Sequence, residues 1–196
     1  AGHDLEELRQ NKNNKEFFQN LFNECSNLMQ TIMHLSQPVI AEVCGIAAAA
    51  GCQLVASCDL AVASENASFM TPGVNIGLFC STPMVAVSRN ISRKKIMEML
   101  LTGESMSAKD AVDYGLINHC VPVDQLQDKT MSLANLIASK PISTVKIGKE
   151  AFYKQVEMPI TEAYNYTSEV MAKNMLELDA HEGISAFLEK RLPEWN

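Results

Sequence analysis

No stretch of this sequence is long and apolar enough to cross a bilayer as a helix, which takes about 18–20 residues. No charged-then-apolar leader opens it either. Residue 1 is Ala, and Ala1-Gly2-His3-Asp4 reads as the middle of a domain, so an N-terminal portion and any targeting segment are expected to lie outside these 196 residues. Basic charge is scarce. With a net charge of −7 and no basic stripe interleaved with aromatics, nucleic acid is not the expected partner, and a membrane is not one either. The only tight basic clusters, Arg93-Lys94-Lys95 and Lys190-Arg191, read as solvated helix faces. Metal-ligand spacing is absent: six cysteines stand without a CxxC pair, and His181-Glu182-Gly183 lacks the second histidine of a zinc protease. Free thiols in apolar segments fit a reducing compartment, cytoplasm or mitochondrial matrix. No G-x-G-x-x-G or P-loop follows a strand, which argues against a nucleotide-binding domain.

Apolar content, at 47%, suffices for a substantial core. The pattern alternates short strands and helices in the first half and continues as helices alone. It predicts an α/β core over residues 1–122 and a helical C-terminal region over 123–196. Two helices are expected between residues 4 and 35, divided by a polar loop at Lys12-Asn13-Asn14-Lys15. Residues 39–43 read as one buried strand, 59–64 as a second and 68–70 as a third. Residues 71–83 read as loop, followed by a helix capped by Thr82 and running toward Ile91. Later helices are expected at 92–101, 124–138, 143–155 and 160–178, and Ser107 is expected to cap a short one closed by Gly115.

The stretch PVIAEVCGIAAAAGCQLVASCD, residues 38–59, organises the rest. Ala47, Ala48, Ala49, Ala50 and Gly51 put nothing larger than a methyl around an expected helix start. The unpaired N–H groups of such a start, with its dipole, stabilise an oxyanion or enolate by about 3–4 kcal/mol per donor. Close packing of the helix is the plainer use of the same small residues, and pattern alone favours it.

Five segments in order resemble the crotonase superfamily, the enoyl-CoA hydratase/isomerase proteins, over nearly the whole chain. They are AGHDLEEL at 1–8, PVIAEVCGIAAAAGCQLVASCDLAVAS at 38–64, F-x-x-P-x-V-x-x-G at 69–77, LLTGESMSAKDAVDYGLINHCVP at 100–122 and EGISAFLEKRLPEW at 182–195. The resemblance implies a crotonase-like spiral of ββα units, N-terminally incomplete here, with a C-terminal helical trimerisation region. It further implies a homotrimer or dimer of trimers that binds acyl-CoA thioesters, with no cofactor beyond the coenzyme A of the substrate. It places a backbone oxyanion hole at His3 and Ala50, and substrate contacts at Ala1, Gly2, Gly51, Cys80, Ser81, Phe187 and Lys190. The lysine often found near the A-G-x-D motif is Glu6 here.

At the two carboxylate positions that hydration requires, this sequence has Gln53 and Gly73. Neither moves a proton, which argues against efficient hydration. Gly73 is expected to leave a gap where a side chain would stand. Glu42, Asp59 and Glu65 are the nearest replacement acids, each read as structural; the imidazole of His3 is a candidate acid-base group, and Cys80, Ser81 and Thr82 lack a base. The implied reading is a thioester-binding protein that stabilises an enolate. The alternatives are a decarboxylase or thioesterase of the same fold, or a non-catalytic acyl-CoA binder or sensor.

Overall fold

A computed structural model describes residues 1–195. The chain forms two compact units, one of Ala1–Met33 with Val39–Met131, the other of His34–Pro38 with the residues from Ser132 onward.

The first unit opens with helices α1 (Leu5–Gln10) and α2 (Lys15–His34). Asp4 caps α1 by accepting the Glu6 N–H at 2.8 Å, and α2 buries Met29 and Ile32. Strands β1 (Ile40–Val43), β2 (Ile46–Ala48), β3 (Leu60–Ser64), β4 (Ser68–Met70), β5 (Ser105–Ser107) and β6 (His119–Val121) follow, with α3 (Ala50–Ser57) between β2 and β3. Between β4 and β5 lie a 3-10 turn (Pro72–Ile76), α4 (Pro83–Val87) and α5 (Arg93–Thr102); α6 (Ala108–Asp113) precedes β6. The strands form two three-stranded sheets rather than one. In the first, β1, β3 and β6 run parallel in that order; in the second, β2 pairs parallel with β4, which pairs antiparallel with β5. The core of Cys52, Val55, Ala63, Phe69, Val87 and Met99 fills this unit.

Several expectations change in the fold. β1 is not buried throughout: it stands at the edge of its sheet, and only Val43 is fully covered while Glu42 is exposed. β2 and β5 have three residues each, too short for an alternation to register in sequence. Thr82 does not cap α4: its backbone is already helical and its side chain makes no capping bond. That helix stops at Val87, where Asn90 Nδ2 turns back to donate to Ala56 O at 3.0 Å and Ala86 O at 2.9 Å. Ser107 does cap α6, accepting the Asp110 N–H at 3.1 Å while its hydroxyl donates to the Asp110 carboxylate at 2.7 Å. Gly115 follows with φ 84°, which glycine adopts without strain.

A helix α7 (Leu126–Ala138) leads into the second unit, which holds α8 (Ile142–Gln155), α9 (Ile160–Asn174) and α10 (Leu178–Glu189). The helix expected over 160–178 ends early because Glu177 turns extended. Its carbonyl then accepts from Ala180 and His181 to start α10. Nothing in the sequence marks this break, since neither Gly nor Pro stands there. The unit buries polar groups in pairs: Lys149 Nζ donates to Gln37 O at 3.0 Å, and Ser143 Oγ to Asp179 Oδ2 at 2.8 Å.

The end of the chain is clasped onto this unit. Arg191 Nη1 and Nη2 donate to the two carboxylate oxygens of Glu182 at 2.6 and 3.0 Å, the Glu194 N–H adds a third bond at 2.8 Å, and Trp195 Nε1 donates to Ser139 O at 3.1 Å. Arg191 first and the Glu194 N–H second hold the Glu182 carboxyl down from the ordinary 4.5 to about 2. A carboxyl whose value falls on folding stabilises the fold above its unfolded value, and that contribution disappears as pH drops through the folded value. Thermal stability is therefore expected to decline from about pH 4.5 toward 2, and Glu182→Gln to decline less steeply over the same range, as read from melting temperatures across the series.

Candidate active site

The alanine run divides between two elements. Ile46, Ala47 and Ala48 are strand, because they pair with Ser68, Phe69 and Met70 of β4; the helix begins only at Ala50. Between them Ala49 has φ 51° and ψ −115°, a conformation natural to glycine and strained for alanine. It is held there from both sides. Its N–H donates to Met70 O at 3.0 Å, and its carbonyl accepts the Gln53 N–H at 3.0 Å. The N–H groups of Ala50, Gly51 and Cys52 donate to no other group among the described residues, as expected of a first helical turn.

Ala1 and Gly2 lie close against this turn. A Cβ at Gly51 would stand 2.9 Å from Ala1 N and 3.2 Å from Ala1 O, and one at Gly2 would stand 3.0 Å from the Ala49 methyl. Only glycines allow that approach. The same added carbon at Gly2 would be 4.0 Å from Ala50 N, so the segment leading into His3 borders the free Ala50 N–H. The His3 N–H likewise has no partner among the described residues. Ala1, Gly2, His3, Ala50 and Gly51 are thus brought together.

Two residues that periodicity counts only as helix α2 also belong to this cluster. The His3 ring meets Phe22 edge-on, with centroids 5.3 Å apart and planes at 72°. Cys25, three residues along and on the same face, donates its thiol to Gln53 Oε1 at 3.9 Å. Gln53 is 4% exposed, and burial pushes the Cys25 thiol up. Phe22 is visible in the sequence as one of a helical series, but nothing there marks its ring or Cys25 as neighbours of the cluster.

The expected gap at Gly73 does not exist. A Cβ there would stand 2.7 Å from Leu78 O and 2.9 Å from Cys80 Sγ. The chain folds back on the glycine. The Leu78 N–H donates to Gly73 O at 2.9 Å, and the Gly73 N–H points to Cys80 Sγ at 3.4 Å. Cys80 is buried, and beside it the Cys52 thiol is pushed up to about 12, by burial first and by Cys80 second. A thiol so protonated is no nucleophile near neutral pH. Ser81 is exposed, and its hydroxyl donates to Phe79 O at 3.3 Å. Thr71, fully buried just after β4, has a hydroxyl without a hydrogen-bond partner among the described residues.

The other candidate acids stand elsewhere in this unit. Asp59 Oδ2 accepts the Val39 N–H at 2.7 Å, ordering the approach to β1, while Glu42 and Glu65 are exposed. Phe187 and Lys190 belong to the second unit. Phe187 is 83% exposed near the end of α10, and Lys190 caps that helix with φ 58°.

A sequence model of the enoyl-CoA hydratase/isomerase family matches residues 1–196, and the chain belongs to that family. Within it, the chain is similar to the human protein described as enoyl-CoA hydratase domain-containing protein 3, mitochondrial, at 50% identity over 196 residues. It is 49% identical over 195 residues to the Xenopus laevis protein of the same description. These matches cover the whole chain but 64% and 66% of the relatives, so the chain spans less than two thirds of their length. Among solved structures, an enoyl-CoA hydratase of Mycobacterium smegmatis matches with a TM-score of 0.97 at 51% identity, covering all of this chain and 76% of that one. The human domain-containing protein 3 matches at 0.96 and 50%, covering all of this chain and 77% of that one.

Proposed function

We propose that the protein binds acyl-CoA thioesters and stabilises their enolates, the thioester oxygen accepting from the N–H groups of His3 and Ala50. The observation that supports this reading is the close approach of residues 1 and 2 to the first turn of α3, with the N–H groups of His3 and Ala50 both unpaired among the described residues. Strain at Ala49 supports it, since a backbone held against its preference is a common mark of a working site. Two donors contribute about 3–4 kcal/mol each to a developing oxyanion.

Hydration is not the chemistry this site favours. Water addition needs one carboxylate to take a proton and another to supply one; Gln53 does neither, and the loop closed over Gly73 leaves no room for a substitute. A reaction that reaches the enolate without a base suits the site better. In decarboxylation of a malonyl-type thioester the bond from Cα to the carboxylate breaks, its electron pair passes to the enolate, CO₂ departs, and Cα takes a proton from water. Thioester hydrolysis by water would draw on the same two donors. The packing of Leu78 and Cys80 against Gly73 favours a second reading, a binder without turnover, because it fills the ground that a catalytic side chain would need.

The relatives' mitochondrial descriptions and the free cysteines support the mitochondrial matrix as the compartment. Exposed apolar residues in the second unit, among them Ile142, Ile160, Leu176, Phe187 and Leu192, support a homotrimer or dimer of trimers. Phe187 and Lys190 are candidate contacts for coenzyme A, the lysine as a phosphate partner.

The test is to incubate the full-length protein with crotonyl-CoA and with malonyl-CoA and follow both by chromatography. Slow or absent hydration of crotonyl-CoA with conversion of malonyl-CoA to acetyl-CoA is expected. Rapid hydration would overturn the reading of Gln53 and Gly73, while both thioesters bound but recovered unchanged would select the binder.

A further inference from the structure

Resting on the reading of His3 and Ala50 as the thioester cradle, we infer that Ala49 is a positioning residue for that cradle: its methyl braces Gly2 and so sets how far the segment entering His3 stands from the Ala50 N–H. Two contacts straddle Ala50. A Cβ at Gly51 would stand 2.9 Å from Ala1 N, and one at Gly2 would stand 3.0 Å from the Ala49 methyl and 4.0 Å from Ala50 N. Residues 1 and 2 therefore rest on the residue after Ala50 and on the residue before it. The Ala50 N–H, unpaired among the described residues, belongs to the residue between those supports. One support is bare glycine backbone, and the other is a methyl.

The backbone does not call for that methyl. At φ 51° and ψ −115° a glycine is unstrained, whereas alanine holds a conformation that its Cβ disfavours. Two hydrogen bonds keep it there: the Ala49 N–H donates to Met70 O at 3.0 Å, and the Ala49 carbonyl accepts the Gln53 N–H at 3.0 Å. The side chain is half-buried at the margin of the core. Ala49 is thus tied to the end of β4 on one side and to α3 on the other, and a methyl has no rotamer by which to retreat. Gly2 complements it. Its φ is not positive, so the contact uses its missing Cβ rather than its conformational freedom.

A fixed knob beneath a bare backbone fixes a spacing. Two N–H groups hold one oxygen only when both reach it at about 2.9 Å. Taking the methyl from Ala49 lets the segment sink toward Ala50, and adding one at Gly2 lifts the segment away; either change spoils one of the two bonds.

The experiment uses the full-length protein and acetoacetyl-CoA, whose enolate absorbs in the near ultraviolet, with melting temperatures read alongside. The native protein is expected to bind the thioester and raise the enolate absorbance. Ala49→Gly is expected to lower the apparent constant for enolate binding about tenfold, the scale of a displacement of a few tenths of an ångström. Its melting temperature is expected to hold or rise, because strain is released. Ala49→Ser, which keeps the Cβ, is expected to retain most of the native constant. Gly2→Ala is expected to lower the constant by about tenfold or more, and by far less in the Ala49→Gly background, since the added carbon then meets no methyl. Additive effects of these two changes overturn the inference. So does Ala49→Gly with a native enolate signal, or with signal and melting temperature falling together as loss of plain packing would make them. If the native protein fails to bind acetoacetyl-CoA, or binds it without enolate absorbance, the cradle reading itself is overturned, and this inference with it.

Discussion

Gly73→Ala is expected to lower stability by about 1–3 kcal/mol in urea titration, and Gly73→Glu by more, because the first added carbon meets a backbone oxygen. Leu78 O would lie 2.7 Å from it, a distance that real Cβ contacts do not show, and Cys80 Sγ 2.9 Å. A flexible side chain would swing aside. This oxygen cannot, because Leu78 also donates to Gly73 O at 2.9 Å and Cys80 is buried in the core. Restoring both carboxylates with Gln53→Glu and Gly73→Glu therefore yields a damaged fold before it yields a hydratase. The turn over residues 77–80 would have to be rebuilt with them. Native stability together with rapid hydration in the double variant would show that the loop opens freely, contrary to its packing.

Gly51→Ala is expected to reduce acyl-CoA binding and any turnover by about 10²-fold while the melting temperature changes little. The added methyl would meet Ala1 N at 2.9 Å and Ala1 O at 3.2 Å, so the segment at residue 1 must lift from α3. A shift near 1 Å at a group that must align with a reacting atom typically costs about that factor. Gly45→Ala serves as the comparison, since a Cβ there meets nothing within 4 Å. Isothermal calorimetry with one thioester, run beside thermal melts, separates the two effects. Equal affinities for the two variants would mean that residues 1–3 do not contribute a donor.

What the sequence made legible follows from the range of the interactions. Ser107, expected as an N-cap, acts within three residues of itself and is found in that role, as are Asp4 and Ser92, which read in sequence only as helix bounds. Periodicity located α2, α5 and α7 because many apolar residues average over errors at the ends. Three-residue β2 and β5 exist only through their ladders to β4, whose partners lie 22 and 35 residues away in sequence, as Ile46 with Ser68 and Met70 with Ser105 show. At the site, the identity of the missing carboxylates was readable from the resemblance. The filling of the Gly73 position was not, because it depends on the path of the chain seven residues later. Cys25 illustrates the same limit, since its partner Gln53 is 28 residues away and a cysteine on an apolar helix face carries no mark of what it meets.

A bond from the Ala49 N–H to Met70 O, 3.0 Å long, joins the residue before α3 to the last residue of β4. Four residues beyond one end stands Gln53, and three beyond the other stands Gly73, so both altered positions hang from one rung. Mutational drift in either segment is therefore felt by the other through the backbone. The exchange rate of that one amide proton becomes a gauge of the whole neighbourhood: slow while helix start and turn hold together, and fast as soon as either lets go.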